Sequence, residues 1–304
     1  MRGTRPPKSL LGALAAIALT SLGCSSPEAV EPDEDVVQVV ASTDVWGDIA
    51  ATVGGAHVQV TSLITGANQD PHSFEASARS ILDVSEADVV IENGGGYDDF
   101  MAQLLAYSEA TPRVITTVDA SPVVPTGSGA FNEHVWYDLP TAIEIADQLA
   151  EVLTAIDPPH ASQFQRNAER FSDSVQSLVD RELDMRQRLE GAPVSITEPV
   201  PSHMLEAIGA VNKTPEAFSA AVEDGSEIAV EVLDQTLDLY RQGRVAALVY
   251  NQQTTGPLTE QVRQAAEDGE VPVVPMTETM PAGSDYISWM TDNLDRLETA
   301  LSRS

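Results

Sequence analysis

The organisation of the chain is decided by the stretch at residues 158–189, which reads PPHASQFQRNAERFSDSVQSLVDRELDMRQRL. A double proline opens it, and proline is tolerated at the start of a helix but not in its interior. The apolar residues that follow are sparse, helically spaced and separated by many charges. The spacing predicts one helix from about His160 to Leu189, roughly 45 Å long at about 1.5 Å per residue. A helix of this length can join two domains rigidly, and residues 158–190 are the predicted linker helix.

Strands and helices are predicted to alternate on both sides of this helix. Before it, β-branched apolar runs predict strands at 36–41, 58–64, 88–91 and 113–118. After it, strands are predicted at 194–197, 245–250 and 271–274. This alternation is typical of parallel sheets covered by helices. The predicted fold class is therefore α/β, with two Rossmann-like lobes of mostly parallel sheet at 36–157 and 191–304, joined by one long rigid α-helix.

The composition is that of a folded and strongly acidic protein. The chain has 304 residues, of which 42% are hydrophobic, which is enough for two domains with cores of their own. The formal net charge of −31 argues against nucleic-acid binding, because a phosphate backbone requires patches of lysine and arginine. We therefore expect no nucleic-acid partner.

The N-terminus is predicted to be a targeting segment. Basic residues precede an apolar run at 10–22, which is too short to span a membrane comfortably. Cys24 is the only cysteine, so the chain forms no internal disulfide. It resembles the lipidated cysteine of a bacterial lipobox, although Leu22-Gly23 departs from the usual residue order. We expect a signal peptide at 1–23, lipidation at Cys24 and a disordered tether at 24–35, with plain secretion as the alternative.

Two of the five histidines occupy similar positions. His72 lies in QDPHSFE (69–75) and His134 in NEHVWYD (132–138), each in a predicted loop before a helix. A neutral imidazole is a good ligand for a divalent transition metal, although a single loop histidine is more often a surface residue. Glu198 and Glu278 follow predicted strands of the second lobe, where parallel sheets present their ligands. Two imidazoles and two carboxylates would neutralise a dication and suit Zn²⁺, Mn²⁺ or Fe²⁺.

A glycine triplet and two further histidines are expected to have no part in metal or nucleotide binding. The triplet Gly94-Gly95-Gly96 lacks the spacing of a nucleotide-binding loop, so we expect a tight turn there. His57 and His160 are expected to be surface residues, and His57 is expected to have no partner.

Four short motifs, taken in order, resemble the metal-binding substrate-binding proteins of zinc and manganese ABC importers, the cluster A-I family. The motifs are Asp70-Pro71-His72, Asn132-Glu133-His134, Thr197-Glu198 and Thr277-Glu278-Thr279. The resemblance implies one metal ligand from each motif: His72, His134, Glu198 and Glu278. It also implies one Mn²⁺ or Zn²⁺ ion as cargo, the permease of an ABC importer as partner, and no catalytic role. A lipid-anchored monomer is then expected outside the cytoplasm, in a periplasm or on the outer face of the cell membrane.

Two of these positions depart from the family's usual pattern. Glu198 stands where zinc-type members often have histidine, and Glu278 stands where aspartate is usual. His203, five residues after Glu198, is the alternative fourth ligand. The carboxylates favour manganese, whereas the Irving–Williams order favours zinc. Two other functions stay open: an extracytoplasmic zinc metallohydrolase, for which the chain lacks an HExxH helix, and an adhesion lipoprotein with a structural metal.

Overall fold

Each half of the chain forms its own set of parallel strands. The computed structural model describes residues 36–66, 74–123 and 131–302. The first half contains β1 Val37–Thr43, α1 Asp44–Gly54, β2 Val58–Ile64, α2 Ala78–Ser85, β3 Val89–Glu92, α3 Phe100–Ser108, β4 Arg113–Thr116, α4 Thr117–Ala120 and α5 Leu139–Ile156. The connecting helix is α6, Ala161–Leu189. The second half contains β5 Pro193–Ile196, α7 Ser202–Ala207, β6 Val211–Asn212, α8 Glu216–Glu223, α9 Val230–Arg241, β7 Ala247–Asn251, α10 Pro257–Asp268, β8 Val273–Met276 and α11 Tyr286–Leu301.

The two sheets have the same strand order and define two lobes. In the first lobe the order is β2-β1-β3-β4, and in the second it is β6-β5-β7-β8. Within the described residues there are six strand pairs, all of them parallel. Val39 pairs with Val60 and Val89, for example, and Val194 pairs with Asn212 and Ala247. The order reverses between β1 and β3 and again between β5 and β7. In doubly wound sheets a ligand crevice forms at this reversal, beyond the carboxyl ends of the strands.

One hydrophobic core runs through both lobes and includes the connecting helix. Phe164, Val175 and Met185 of α6 are fully buried. They belong to the same core cluster as strand residues of the first sheet and of the second. The predicted α/β class, with two parallel-sheet lobes and one long helix, is confirmed. Among the described residues, no helix combines the length and the apolar content that a membrane span requires.

The structure differs from the sequence-based prediction in the region after α7. No element was predicted between residues 209 and 227, but β6 and α8 lie there. The prediction that His57 has no partner was also wrong, because it contacts His160 and its Nε2 lies 3.2 Å from Oε1 of Gln163. Their rings stack with centroids 3.6 Å apart, and His160 Nδ1 lies 2.6 Å from Asp157 Oδ2.

Candidate metal-binding site

His134 is held in one orientation by the loop that carries it. Its side chain is fully buried, directly before a short turn of 3-10 helix at Val135–Tyr137. Nδ1 lies 2.7 Å from Oδ1 of Asn132, whose own amide nitrogen donates to the carbonyl of Pro199. Because that second bond fixes Oδ1 as the acceptor, Nδ1 carries the donated proton and Nε2 is the atom that can ligate a metal.

Nε2 of His134 faces a carboxylate. Oε1 of Glu223, the last residue of α8, lies 3.3 Å from it. The rings of Tyr97 and Trp136 contact the imidazole, with centroids 5.8 and 5.0 Å away. Burial is the largest influence on the pKa of His134 and lowers it. The contact with Glu223 and the charges around it outweigh burial, so that the pKa is raised overall.

Glu198 is a buried carboxylate just beyond the end of β5. Its exposed fraction is 3%, and its Oε2 has no hydrogen-bond partner among the residues that the structure describes. Burial, followed by the charges of Glu223 and Glu278, raises the pKa of Glu198 to about 8. A bound cation would relieve both effects, since it compensates the charge that burial and the neighbouring carboxylates disfavour.

Glu278 is held by residues from both lobes. Its Oε1 accepts a hydrogen bond from the amide of Asn251 at 2.7 Å, and its Oε2 accepts one from the hydroxyl of Tyr97 at 3.3 Å. Asn251 ends β7 in the second lobe, and Tyr97 follows β3 in the first. The carboxylate is 3% exposed. Its orientation is therefore set by donors on both sides of the crevice.

The structure brings three of the four predicted ligands into one neighbourhood. The charge of Glu278 acts on both His134 and Glu198. The tightest group is a different one, however: ligand atoms of Glu133, His134 and Glu223 all lie within 4.8 Å of one another. His72 lies outside the described residues, as does Cys24.

Asp44 connects the start of the loop that carries His72 to the loop that carries Glu278. Its Oδ2 accepts a hydrogen bond from the backbone N–H of Gly66, and its Oδ1 accepts one from Met280. Gly66 is the last described residue before the loop of His72, and Met280 is two residues beyond Glu278. This carboxylate therefore fixes where the His72 loop begins relative to Glu278.

His203, the alternative ligand, contacts the His134 loop. Its Nε2 lies 3.0 Å from the backbone carbonyl oxygen of Asn132. In this position the imidazole supports the loop that orients His134.

Glu223 is the site residue that the sequence interpretation missed. Its helix has a recognisable start in Thr214-Pro215-Glu216, because proline is favoured where a helix begins and an acidic residue is favoured in its first turn. Phe218 and Val222, spaced by four, form its buried face. These signals predict a short helix, but its contact with His134 depends on how the second lobe packs.

Comparisons with known proteins show the family to which the chain belongs. The family model described as "ZnuA: Zinc-uptake complex component A periplasmic" matches residues 39–300. The chain belongs to this family. It is 32% identical over 169 residues to the manganese-binding lipoprotein MntA of Bacillus subtilis, an alignment that spans 54% of each chain. It is 21% identical over 314 residues to the manganese ABC transporter substrate-binding lipoprotein PsaA of Streptococcus pneumoniae, covering 96% of this chain and 99% of PsaA.

Comparison with solved structures shows that this ZnuA-family chain has the fold of a periplasmic zinc-binding protein. The periplasmic zinc-binding protein TroA from Treponema pallidum aligns with a TM-score of 0.75 and 19% identity. The alignment covers 88% of this chain and 99% of TroA.

Proposed function

We propose that this protein is an extracytoplasmic receptor that binds one divalent transition metal ion, Mn²⁺ or Zn²⁺, between its two lobes and delivers it to an ABC importer. The proposal is carried by the contacts of Tyr97, whose ring lies 5.8 Å from that of the buried His134 and whose hydroxyl donates to the buried Glu278. The buried carboxylate of Glu198, just beyond the end of β5, lies within the electrostatic influence of Glu278. Buried carboxylates and an imidazole with a fixed tautomer suit a divalent cation.

The proposed ligands come from both lobes. His72 and His134 belong to the first lobe, and Glu198 and Glu278 to the second. Asp44 supports the inclusion of His72, because it ties the beginning of that loop to the segment following Glu278. An ion bound by all four would join the two lobes, and its release would require the permease to displace ligands of one lobe.

The relatives support a role in metal transport, but they are named for different metals, so the preferred ion is argued from the ligands of the site. MntA and PsaA are named for manganese and TroA for zinc. Carboxylate oxygens suit Mn²⁺, whereas Zn²⁺ binds most nitrogen and oxygen sites more tightly. The preferred donor set here contains two carboxylates, and we propose Mn²⁺ as the favoured cargo under conditions of limited free zinc.

The proposed placement in the cell follows from the N-terminus. A signal peptide at 1–23 and a lipid on Cys24 would anchor a monomer outside the cytoplasm through the tether at 24–35. The folded part would then consist of lobes at 36–157 and 191–304 and the linker helix at 158–190. The membrane partner is the permease subunit of the importer. We propose binding and handover without catalysis, because a catalytic zinc has three protein ligands and an open position for water, whereas four ligands are proposed here.

Metal loading of residues 25–304 without an affinity tag tests the proposal. The protein is stripped with chelator and dialysed against buffered free Mn²⁺ and Zn²⁺, and the bound ions are counted by mass spectrometry. We expect one ion per chain, with affinity reduced by more than about 100-fold in His134→Ala and Glu278→Ala, since even outer contacts of metal sites are worth about 10- to 100-fold.

A second histidine-containing cluster serves as the control. His57, Asp157 and His160 also place ligand atoms within 4.8 Å of one another. His160→Ala should leave the stoichiometry and the affinity unchanged. An ion lost in His160→Ala and retained in His134→Ala would refute the proposed site.

A further inference from the structure

We infer that Glu223 is a further protein ligand of the cargo ion, so that the site holds three carboxylates, and that this residue favours Mn²⁺ over Zn²⁺. The inference rests on the proposed function. It concerns a residue outside the four motifs that carry the family resemblance, on the short helix α8.

The distance between Glu223 and His134 fits two ligands of one ion. Two donors bound at about 2.1 Å and separated by an angle of about 100° lie about 3.2 Å apart. The observed separation of Oε1 and Nε2 is 3.3 Å. A charge-assisted hydrogen bond between a nitrogen and a carboxylate is usually shorter, at about 2.7–2.9 Å. The geometry therefore corresponds to an edge of a coordination polyhedron better than to a direct ion pair.

Burial and helix packing hold Glu223 at this distance. Its side chain is only 12% exposed. Phe218 and Val222 on the same helix pack into the core of the second lobe, and Pro215 precedes its first residue. The backbone of Glu223 is thus anchored independently of His134, which lies on a loop of the first lobe.

The charge of Glu223 reaches the other proposed ligands. It acts on Glu198 and on Tyr97, which donates to Glu278, as well as on His134. Glu198 supplies a second and independent indication of a ligand, because it is 3% exposed and its Oε2 has no hydrogen-bond partner among the described residues. An ion placed near these atoms would compensate three carboxylates at once.

A third carboxylate affects the two metals differently. Zn²⁺ is commonly four-coordinate, and four ligands are already available without Glu223. Mn²⁺ favours oxygen donors and octahedral coordination, so it gains more from an additional carboxylate. Removal of this carboxylate should therefore weaken Mn²⁺ binding more than Zn²⁺ binding.

The test compares Glu223→Gln with matched controls in metal competition titrations. Glu216→Gln removes a charge from an exposed position of the same helix, and His134→Ala removes a ligand of the proposed site. We expect Glu223→Gln to weaken Mn²⁺ binding by at least about 10-fold, with a smaller change for Zn²⁺, and Glu216→Gln to change neither.

The outcomes separate this inference from the proposed function. If the unsubstituted protein binds no ion, the proposed function fails. If it binds one ion that is lost in His134→Ala, while Glu223→Gln binds Mn²⁺ equally or more tightly, only the role of Glu223 is overturned. Tighter binding would identify Glu223 as a competitor that the ion displaces. Glu223→Asp, which retains the charge with a shorter reach, provides a folded comparison if Glu223→Gln is unstable; unchanged Mn²⁺ selectivity in it would also overturn the inference.

Discussion

At the scale of single residues, Glu182 shows how burial of one carboxyl makes stability depend on pH. It lies in α6 with 3% exposure, and its Oε1 has no hydrogen-bond partner among the described residues. Burial, followed by the charge of Asp138, raises the pKa of Glu182 to about 8 from 4.5. Between these values the folded protein binds a proton that the unfolded chain lacks. The free energy of unfolding therefore falls as pH rises through this window, by up to about 1.4 kcal/mol per pH unit.

We predict that Glu182→Gln removes the share of this pH dependence that Glu182 contributes, while the share of Glu198, whose pKa is raised to a similar value, remains. At pH 7.5 the substitution should raise the free energy of unfolding by about 2–3 kcal/mol, because it abolishes the cost of keeping a proton on a buried acid. Urea unfolding at pH 5.5 and pH 7.5 measures the effect. The exposed Glu169 in the same helix is the control, and Glu169→Gln should retain the pH dependence of the unsubstituted protein. Equal pH slopes for Glu182→Gln and Glu169→Gln would contradict the assignment.

The position of a residue next to a predicted strand or helix identified candidate site residues, whereas the sequence did not reveal which carboxylates are buried. His134, Glu198 and Glu278 follow or precede recognisable elements, and the structure places all three in one buried region. Glu182 lies in a helix rich in charges, and nothing in its sequence context distinguishes it from the exposed carboxylates around it. The difference arises because burial is set by the packing of α6 between the lobes, which is a property of the tertiary structure.

At the scale of elements, α6 is attached differently at its two ends. Near its N-terminus the amide of Asn167 donates to the backbone carbonyl of Val53 at 2.9 Å, and this side chain is 7% exposed. Near its C-terminus the guanidinium of Arg181 pairs with Glu298 and Asp295 of α11, all of them partly exposed. A buried hydrogen bond contributes more than a solvated ion pair, because loss of one partner leaves the other group buried and unpaired.

We therefore predict that Asn167→Ala destabilises the protein more than Arg181→Ala does. The expected loss in the free energy of unfolding is about 1–3 kcal/mol for Asn167→Ala and below about 1 kcal/mol for Arg181→Ala. Denaturant unfolding in low and high salt distinguishes them. Only the effect of Arg181→Ala should shrink with salt. A larger loss for Arg181→Ala would mean that the helix is held mainly at its C-terminal end.

Element prediction succeeded where the periodic signal was long and failed where it was short. The 29 residues of α6 carry a helical pattern over several turns, and its predicted bounds differ from the observed ones by one residue. The two-residue β6 and the eight-residue α8 are too brief for periodicity to identify them with equal strength. The omission mattered because α8 carries Glu223.

At the scale of the whole molecule, the shared core limits how far the lobes can move. The core cluster includes buried residues of both sheets and of α5, α6 and α11. Further hydrogen bonds join the halves around the site: the Tyr137 hydroxyl donates to the carbonyl of Thr277, and the Tyr286 hydroxyl donates to that of Trp136, each at 2.7 Å. A wide hinge opening would expose this apolar surface to water and break these buried bonds, which makes it costly.

We predict that metal binding leaves the lobe arrangement nearly unchanged. In small-angle X-ray scattering, residues 25–304 should give a radius of gyration of about 19 Å, the value expected for a compact chain of this length. The metal-free and metal-loaded forms should agree within experimental error. Because three of the 16 basic residues and no acidic residue lie in the N-terminal 23, residues 24–304 carry a formal charge of 13 − 47 = −34. Interparticle repulsion must therefore be screened with about 0.15 M salt.

His134→Ala in the same metal buffer controls for non-specific binding of cations to this acidic surface. A contraction of several ångströms on loading, absent in His134→Ala, would show that α6 acts as a hinge, and handover would then proceed by lobe opening rather than by local displacement of ligands.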